Sequence, residues 1–148
     1  MPGIYLDSNV YIIGLLHKET NAARILGEIL DRDIPVVQSD YLFDEVLHWF
    51  KSHEGKDMAG LVRTYLLTIP NREYVSRAEW SLFLDEFVNI VGDKDDPPHI
   101  CCNHAASADA FVTTNRRLTK MRVKDRVNFV SPGEYLALLG IKPMDKEW

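Results

Sequence analysis

The chain predicts an α/β fold with a mainly parallel sheet, on three observations. Short apolar runs with strand character alternate with longer segments of helical apolar spacing, which is the pattern of βαβ units. The 148 residues fit one domain and leave enough chain for a core. Acidic or amide residues close several of the apolar runs: Asp7 after Ile4-Tyr5-Leu6, Asp93, Asp95 and Asp96 after the stretch ending at Val91, and Asn115 after Phe111-Val112-Thr113-Thr114; Glu45 interrupts the apolar stripe of a helix.

The elements follow in order. Gly3 to Leu6 is a first strand, and Ser8-Asn9 caps a helix through Val10 to Leu16. Thr20-Asn21 caps a second helix, Ala22 to Leu30, with Ile25, Leu26 and Ile29 on one side. Pro35 to Gln38 is a second strand. Ser39-Asp40 opens a third helix carrying Leu42, Phe43, Val46, Leu47 and Phe50 at helical spacing, broken at Gly55-Lys56-Asp57. Met58 to Leu67 is helical, Glu73 to Ser76 is a weaker strand, and Arg77 to Val91 contains another amphipathic helix. Gly92 to Pro98 is a loop, and Pro97-Pro98 start a helix running to Ala106, because proline is tolerated in a first turn. Ala110 to Thr113 is a strand, Asn115 to Lys120 a short helix, and Val127 to Val130 a last strand. Ser131 and Glu134 have capping-box spacing, and the tail from Pro143 is expected to be loose.

The 148 residues suit a single domain spanning 1–148, with no internal repeat and no low-complexity linker. Glu54-Gly55-Lys56 reads as a hinge, not a domain boundary. Cys101 and Cys102 are adjacent, lack a zinc-type spacing and read as small buried residues. No leader and no apolar run of membrane-spanning length is found, so a cytoplasmic protein without membrane attachment is expected. The formal net charge of -5 argues against broad coating of nucleic acid. A basic run, Arg116, Arg117, Lys120, Arg122, Lys124 and Arg126 against Asp125, follows directly on Asn115 and is a place to hold a phosphate backbone. As a charge run alone it equally describes a solvated face.

Strand ends of an open α/β sheet gather at its carboxyl edge, where ligands bind. Several carboxylates share a small pocket only if their pKa values rise or a cation neutralises them. Oxygen ligands suit a hard cation such as Mg²⁺ or Mn²⁺. Asp7 is a candidate ligand, with helix capping as its structural role, and Asn9 assists or caps. Glu45, Asp93, Asp95 and Asp96 are further candidates, and Asp109 is a fourth carboxylate or a turn residue. Asn115 orients a water, binds metal through its carbonyl, or caps a helix. Thr113 fixes a carboxylate from behind. His48, His53, His99 and His104 show no metal-ligand spacing and read as packing or surface residues.

Taken together, Tyr5-Leu6-Asp7-Ser8-Asn9-Val10, Ser39 through Glu45-Val46-Leu47, Asp93-Lys94-Asp95-Asp96 ahead of Ile100, and Ala108-Asp109-Ala110-Phe111-Val112-Thr113-Thr114-Asn115 with Leu118 resemble the PIN-domain family. The resemblance runs from Asp7 to about Leu118. It implies a three-layer α/β/α sandwich with a central, mainly parallel sheet and a Mg²⁺- or Mn²⁺-dependent ribonuclease. Many small stand-alone relatives, of the VapC type, are the toxins of toxin–antitoxin pairs, which adds an antitoxin protein and homodimerisation to the implied partners. By this resemblance Asp7, Glu45 and Asp96 match the three acids, with Asp93 and Asp95 as neighbouring alternatives. Asn115 matches a fourth position that is often aspartate, and its missing charge counts against a second metal ion. RNA is then expected across Arg116, Arg117 and Lys120. The alternatives are a degenerate PIN-like domain that binds RNA or protein without catalysis, and an aspartyl-phosphate phosphatase, which lacks its second aspartate because that position is Asn9.

Overall fold

The computed structural model describes residues 3–91, 96–120 and 127–144. Five strands form one sheet in the order β3-β2-β1-β4-β5, and every pairing is parallel. The sheet is therefore wholly, not merely mainly, parallel. β1 (Ile4–Leu6) and β4 (Ala110–Val112) are buried throughout and pair in register from Ile4 opposite Ala110 to Leu6 opposite Val112. Near-continuous apolar runs of this kind belong to strands covered on both faces.

The chain leaves β1 through α1 (Ser8–Leu16) and α2 (Asn21–Asp31) to β2 (Val36–Ser39), then through α3 (Asp40–Glu54) and α4 (Lys56–Thr68) to β3 (Arg72–Val75). It then crosses back past β1 to β4 by way of α5 (Arg77–Trp80), a 3₁₀ turn (Ser81–Phe83), α6 (Leu84–Val91) and α7 (Pro97–Ala105). A short α8 (Arg116–Thr119) leads to β5 (Phe129–Val130) and α9 (Pro132–Leu138). Right-handed crossovers put helices made on the outward path and helices made on the return path on opposite faces. Accordingly α1 packs on α2 and α3, α9 packs on α2, and α7 packs on β1, β2 and β4 with α5 and α6 against it.

Local chemistry explains the helix starts. The side chains of Thr20, Ser39 and Ser131 each accept a backbone N–H of the following first turn, and Ser131 with Glu134 forms the complete capping box. The amphipathic helix expected within Arg77 to Val91 is α6, preceded by α5 and a 3₁₀ turn. Trp80 is anchored to α3, its indole N–H donating to Asp40 Oδ1 at 2.8 Å, while Phe87 lies on His104 of α7 with ring centroids 5.4 Å apart. The tighter turn changes the phase of the buried stripe between these two anchors. The tail is tied as far as it is described: Met144 N–H donates to Asn21 Oδ1 at 2.7 Å, and Asn21 Nδ2 returns to the Met144 carbonyl at 3.3 Å. Among the described residues no helix is long and apolar enough to cross a membrane.

The core runs along both sheet faces and includes Tyr5, Tyr11, Phe50, Phe87 and Phe111 as its largest fully buried side chains. Each such side chain contributes about 1.5–3 kcal/mol through the area it removes from water. Cys101 and Cys102 are free and buried, as expected, and burial pushes both thiols up to about 12.

Gly55 joins α3 to α4 at φ 98° and ψ 166°, backbone that is essentially reserved for glycine. A Cβ there would meet nothing within 4 Å, so the requirement is conformational and not steric crowding by neighbours. Gly55→Ala is expected to cost about 1–3 kcal/mol of stability. Urea denaturation of both chains checks this, and an unchanged midpoint would show that the α3–α4 junction relaxes freely.

Candidate metal centre

The strand order reverses its direction of growth at β1, between β2 on one side and β4 on the other. The crevice beyond the carboxyl ends of β1 and β4 is the place where α/β sheets bind ligands. Asp7 occupies it as the residue after β1. Its N–H donates to the Val112 carbonyl at 2.9 Å, extending the β1–β4 ladder by one rung. Asp7 is also the N-cap of α1, its Oδ1 accepting the Ser8 N–H at 2.8 Å. Its Oδ2 accepts the Thr113 hydroxyl at 2.8 Å, and Thr113 Oγ1 in turn accepts the Asn115 N–H at 3.0 Å. The carboxylate is only 5% exposed and is held by both oxygens, so its orientation is set before any ligand arrives.

Glu45 reaches the same point from α3. Asp7, Glu45 and His99 each present one ligand atom, and these atoms lie within 4.8 Å of one another. His99 belongs to the first turn of α7 and is 2% exposed. Its Nε2 is 2.8 Å from Glu45 Oε1 and 3.8 Å from Asp7 Oδ1. Its Nδ1 is 2.6 Å from the Tyr5 hydroxyl, which lies 3.3 Å from Ser39 Oγ. The Ser8 hydroxyl also donates to Glu45 Oε1.

Electrostatics follow from this packing. Burial works to lower the His99 pKa, but the hydrogen bond to Glu45 and the negative charges of Asp7, Glu45 and Asp96 outweigh it, so the imidazole sits above its ordinary 6.5. Burial works to raise Glu45, but the hydrogen bond and charge of His99 and the Ser8 hydroxyl prevail and hold it below its ordinary 4.5. Burial above all pushes the Tyr5 phenol well up, so Tyr5 remains a hydrogen-bond donor. A neutral His99 accepting from Tyr5 at Nδ1 carries its proton on Nε2, aimed at Glu45.

The other expected residues are placed as follows. Asp96 immediately precedes α7 and is not part of the three-residue group; its Oδ2 accepts from Arg117 at 2.9 Å, and its side chain is 20% exposed. Asn115 caps α8, Oδ1 accepting the Arg117 N–H at 3.0 Å. Arg116, Arg117 and Lys120 are all exposed, and Arg117 also reaches back to pair with Asp96. Asn9 is exposed on α1 while buried Ser8 faces the carboxylates, because the first turn of α1 rotates the two apart. Asp109 is removed from the carboxylate set: it precedes β4, its N–H pairs with the Gly3 carbonyl, and it lies at the amino edge of a parallel sheet whose carboxyl edge carries Asp7. Asp93, Asp95, Arg122, Lys124 and Arg126 lie outside the described residues.

His99 corrects the expectation that the histidines serve only packing or the surface. It does pack, against Tyr5 and Tyr41 with ring centroids at 5.6 and 4.8 Å, yet its two nitrogens address the carboxylate site. The signal in the sequence was its place in the first turn of a helix that opens right after Asp96, on the side shared with buried Cys102 and Asn103. Tyr5 and Ser8 were likewise passed over as strand and cap.

The donor set suits a divalent cation. Two carboxylates converge and are oriented by hydroxyl and N–H donors from behind, and the His99 imidazole stands beside them, hydrogen-bonded to Glu45. Carboxylates with a single imidazole are compatible with Mn²⁺ and with Mg²⁺ bound through the acids.

No protein-family model and no curated protein sequence matches the chain. Solved structures match the fold. A chain of the VapBC2 complex from Rickettsia felis bound to a DNA fragment from its promoter superposes with a TM-score of 0.66 at 14% identity, over 86% of this chain and 97% of that one. A chain of DNA-bound VapBC from Salmonella typhimurium gives 0.66 at 13% identity, over 89% and 99%. At this identity the likeness is one of architecture: a PIN-like α/β fold with a wholly parallel central sheet flanked by helices.

Proposed function

We propose that the protein is a divalent-cation-dependent ribonuclease that hydrolyses RNA phosphodiester bonds, with Asp7 and Glu45 as the cation's carboxylate ligands. The observation that carries this reading is the convergence of Asp7, Glu45 and His99 within 4.8 Å beyond the end of β1. A bound cation would supply a water of lowered pKa and polarise a phosphoryl oxygen. The residues of the chain do the rest. Ser8 and Thr113 hold Asp7 in one orientation, and Ser8 and His99 hold Glu45 ionised and aimed at it. Tyr5 fixes the His99 ring from its far side. Asp96 stands beside this centre as a third acid, paired with Arg117, and Asn115 supports Thr113 through its N–H. A single cluster with two carboxylates and an amide at position 115 support one ion, not two.

The resemblance to PIN domains and the two VapBC neighbours support a toxin-like role with a small antitoxin protein as partner, in the cytoplasm where RNA is met. The convergence of Asp7 and Glu45 favours catalysis over a degenerate binding domain, since two carboxylates held together repel unless a cation or raised pKa values relieve them.

The test is incubation of the purified chain with labelled single-stranded RNA in Mg²⁺ or Mn²⁺, and in EDTA. Cleavage with either cation and none in EDTA is expected, with no turnover of a phosphomonoester. No cleavage and no thermal stabilisation with either cation would remove the nuclease reading.

A further inference from the structure

The site does not stand alone on the surface. A groove of about 840 Å³ between α3 and α4 reaches Glu45 and Tyr41 at one end, and the Tyr41 ring meets the edge of His99. Lys51 lies on its α3 wall, Lys56 and Arg63 on its α4 wall, and Arg77 at the start of α5. Acids line it only beside the site, at Asp44 and Glu45. Gly60 lines the α4 wall, where a Cβ would meet nothing within 4 Å. The sign of this groove is opposite to the chain's net charge of -5.

These cations are also left unspent. Arg24 and Arg32 are paired with Glu28, and Arg117 with Asp96. Among the described residues Lys51, Lys56 and Arg63 make no ion pair, and all three are exposed. Six helical residues from Glu45 to Lys51 span about 9 Å, which is enough to carry a backbone past the reacting phosphate to the next ones.

We propose that the α3–α4 groove binds the sugar–phosphate backbone of single-stranded RNA on one side of the scissile bond, with Lys51, Lys56 and Arg63 as phosphate contacts. This rests on the ribonuclease reading and assigns the substrate its path. The path differs from the expected one across Arg116, Arg117 and Lys120, of which Arg117 is committed to Asp96. Positive charge placed along a channel that ends at the carboxylates offsets their repulsion of an anionic substrate.

The experiment measures binding of a labelled oligouridylate to the full chain in EDTA across a KCl series, for the wild type and for Lys51→Ala/Arg63→Ala. Removing two phosphate contacts from a single-strand complex is expected to flatten the log–log salt slope by about 1.4 and to weaken binding on the order of tenfold. In Mn²⁺ the loss is expected in KM. A Lys51→Gln/Arg63→Gln chain, which keeps the side-chain length near the wild type, is expected to behave the same, with an unchanged melting temperature for both. Unchanged affinity and slope would overturn the proposal. So would equal binding of polyglutamate, which would make the groove a seat for an acidic polypeptide, or equal binding of duplex RNA. If oligouridylate binds through the groove but is never cleaved, the groove stands and the nuclease reading falls. If Mn²⁺-dependent cleavage requires Asp7 but ignores Lys51 and Arg63, the reverse holds.

Discussion

Asp7→Asn is expected to lower cation-dependent RNA cleavage by about a thousandfold or more, about 4 kcal/mol of transition-state stabilisation. Asp7 is the most buried acid of the group, and its two oxygens are already oriented by Ser8 and Thr113. An asparagine removes the charge that a cation needs while keeping the shape. Its Oδ1 caps α1 as well as aspartate does. The Thr113 hydroxyl can turn to accept from the new amide. The fold should therefore survive, with a melting temperature within a few degrees of wild type in EDTA. What should vanish is stabilisation by Mn²⁺, which for a wild-type site at a hundred times its Kd is about 2.7 kcal/mol. Circular dichroism, a melting curve with and without Mn²⁺, and the cleavage assay together check it. An Asp7→Asn chain that still cleaves RNA and is still stabilised by Mn²⁺ would show that Asp7 holds no metal.

The second large effect belongs to His99. His99→Gln is expected to reduce cleavage about 10–100-fold, the usual cost of losing a residue that orients a ligand. Glutamine can still place an N–H near Glu45 but cannot satisfy the Tyr5 hydroxyl, whereas His99→Asn can approach Tyr5 but not Glu45. If donation to Glu45 is what matters, glutamine retains more activity than asparagine. The pH dependence of the metal-free chain supplies a readout that activity does not. His99 is raised above 6.5 on folding, so its stabilisation is complete below that value and is lost as pH rises through the raised one. Glu45 is lowered below 4.5, so its stabilisation is present above that value and is lost as pH falls through the lowered one. The melting temperature in EDTA is then highest between these two ordinary values and declines toward alkaline pH. His99→Gln should flatten the alkaline decline. A cation replaces the imidazolium's positive charge, so Mn²⁺ should stabilise the wild type more at high pH than at low. Parallel melting profiles for wild type and His99→Gln would separate His99 from the charge balance of the site.

Much of the architecture was readable because it depends on local chemistry. Apolar runs of two periods, the caps at Thr20, Ser39 and Ser131, and the paired prolines at Pro97 and Pro98 each act within a few residues, and the helix starts fall where they predict. Asp109 reads as a fourth carboxylate or a turn residue before the strand, and the structure has the second, for a reason the sequence contains. In a parallel sheet a residue before a strand and a residue after one lie at opposite edges, and Asp109 stands before β4. His99 was not readable in that way. Its partners Tyr5, Glu45 and Asp7 come from β1, α3 and the turn after β1, and spacing from its neighbour His104 says nothing about them. Periodicity shows a helix within Arg77 to Val91, but the division into α5, a 3₁₀ turn and α6 depends on two packing partners, α3 and α7.

From the sequence alone, the alternation of strands and helices determined a parallel α/β sheet, and the position of Asp7 after the first strand put an acid at its carboxyl edge. Periodicity and capping act over a few residues and need no knowledge of neighbours, so they survive in one dimension. The tertiary structure alone decided that His99 stands beside Asp7 and Glu45, that Arg117 is bound to Asp96, and that Lys51 and Arg63 line one groove with Glu45. Those pairings depend on how helices seat on the sheet and on which way each side chain reaches, and both are settled only when the core packs.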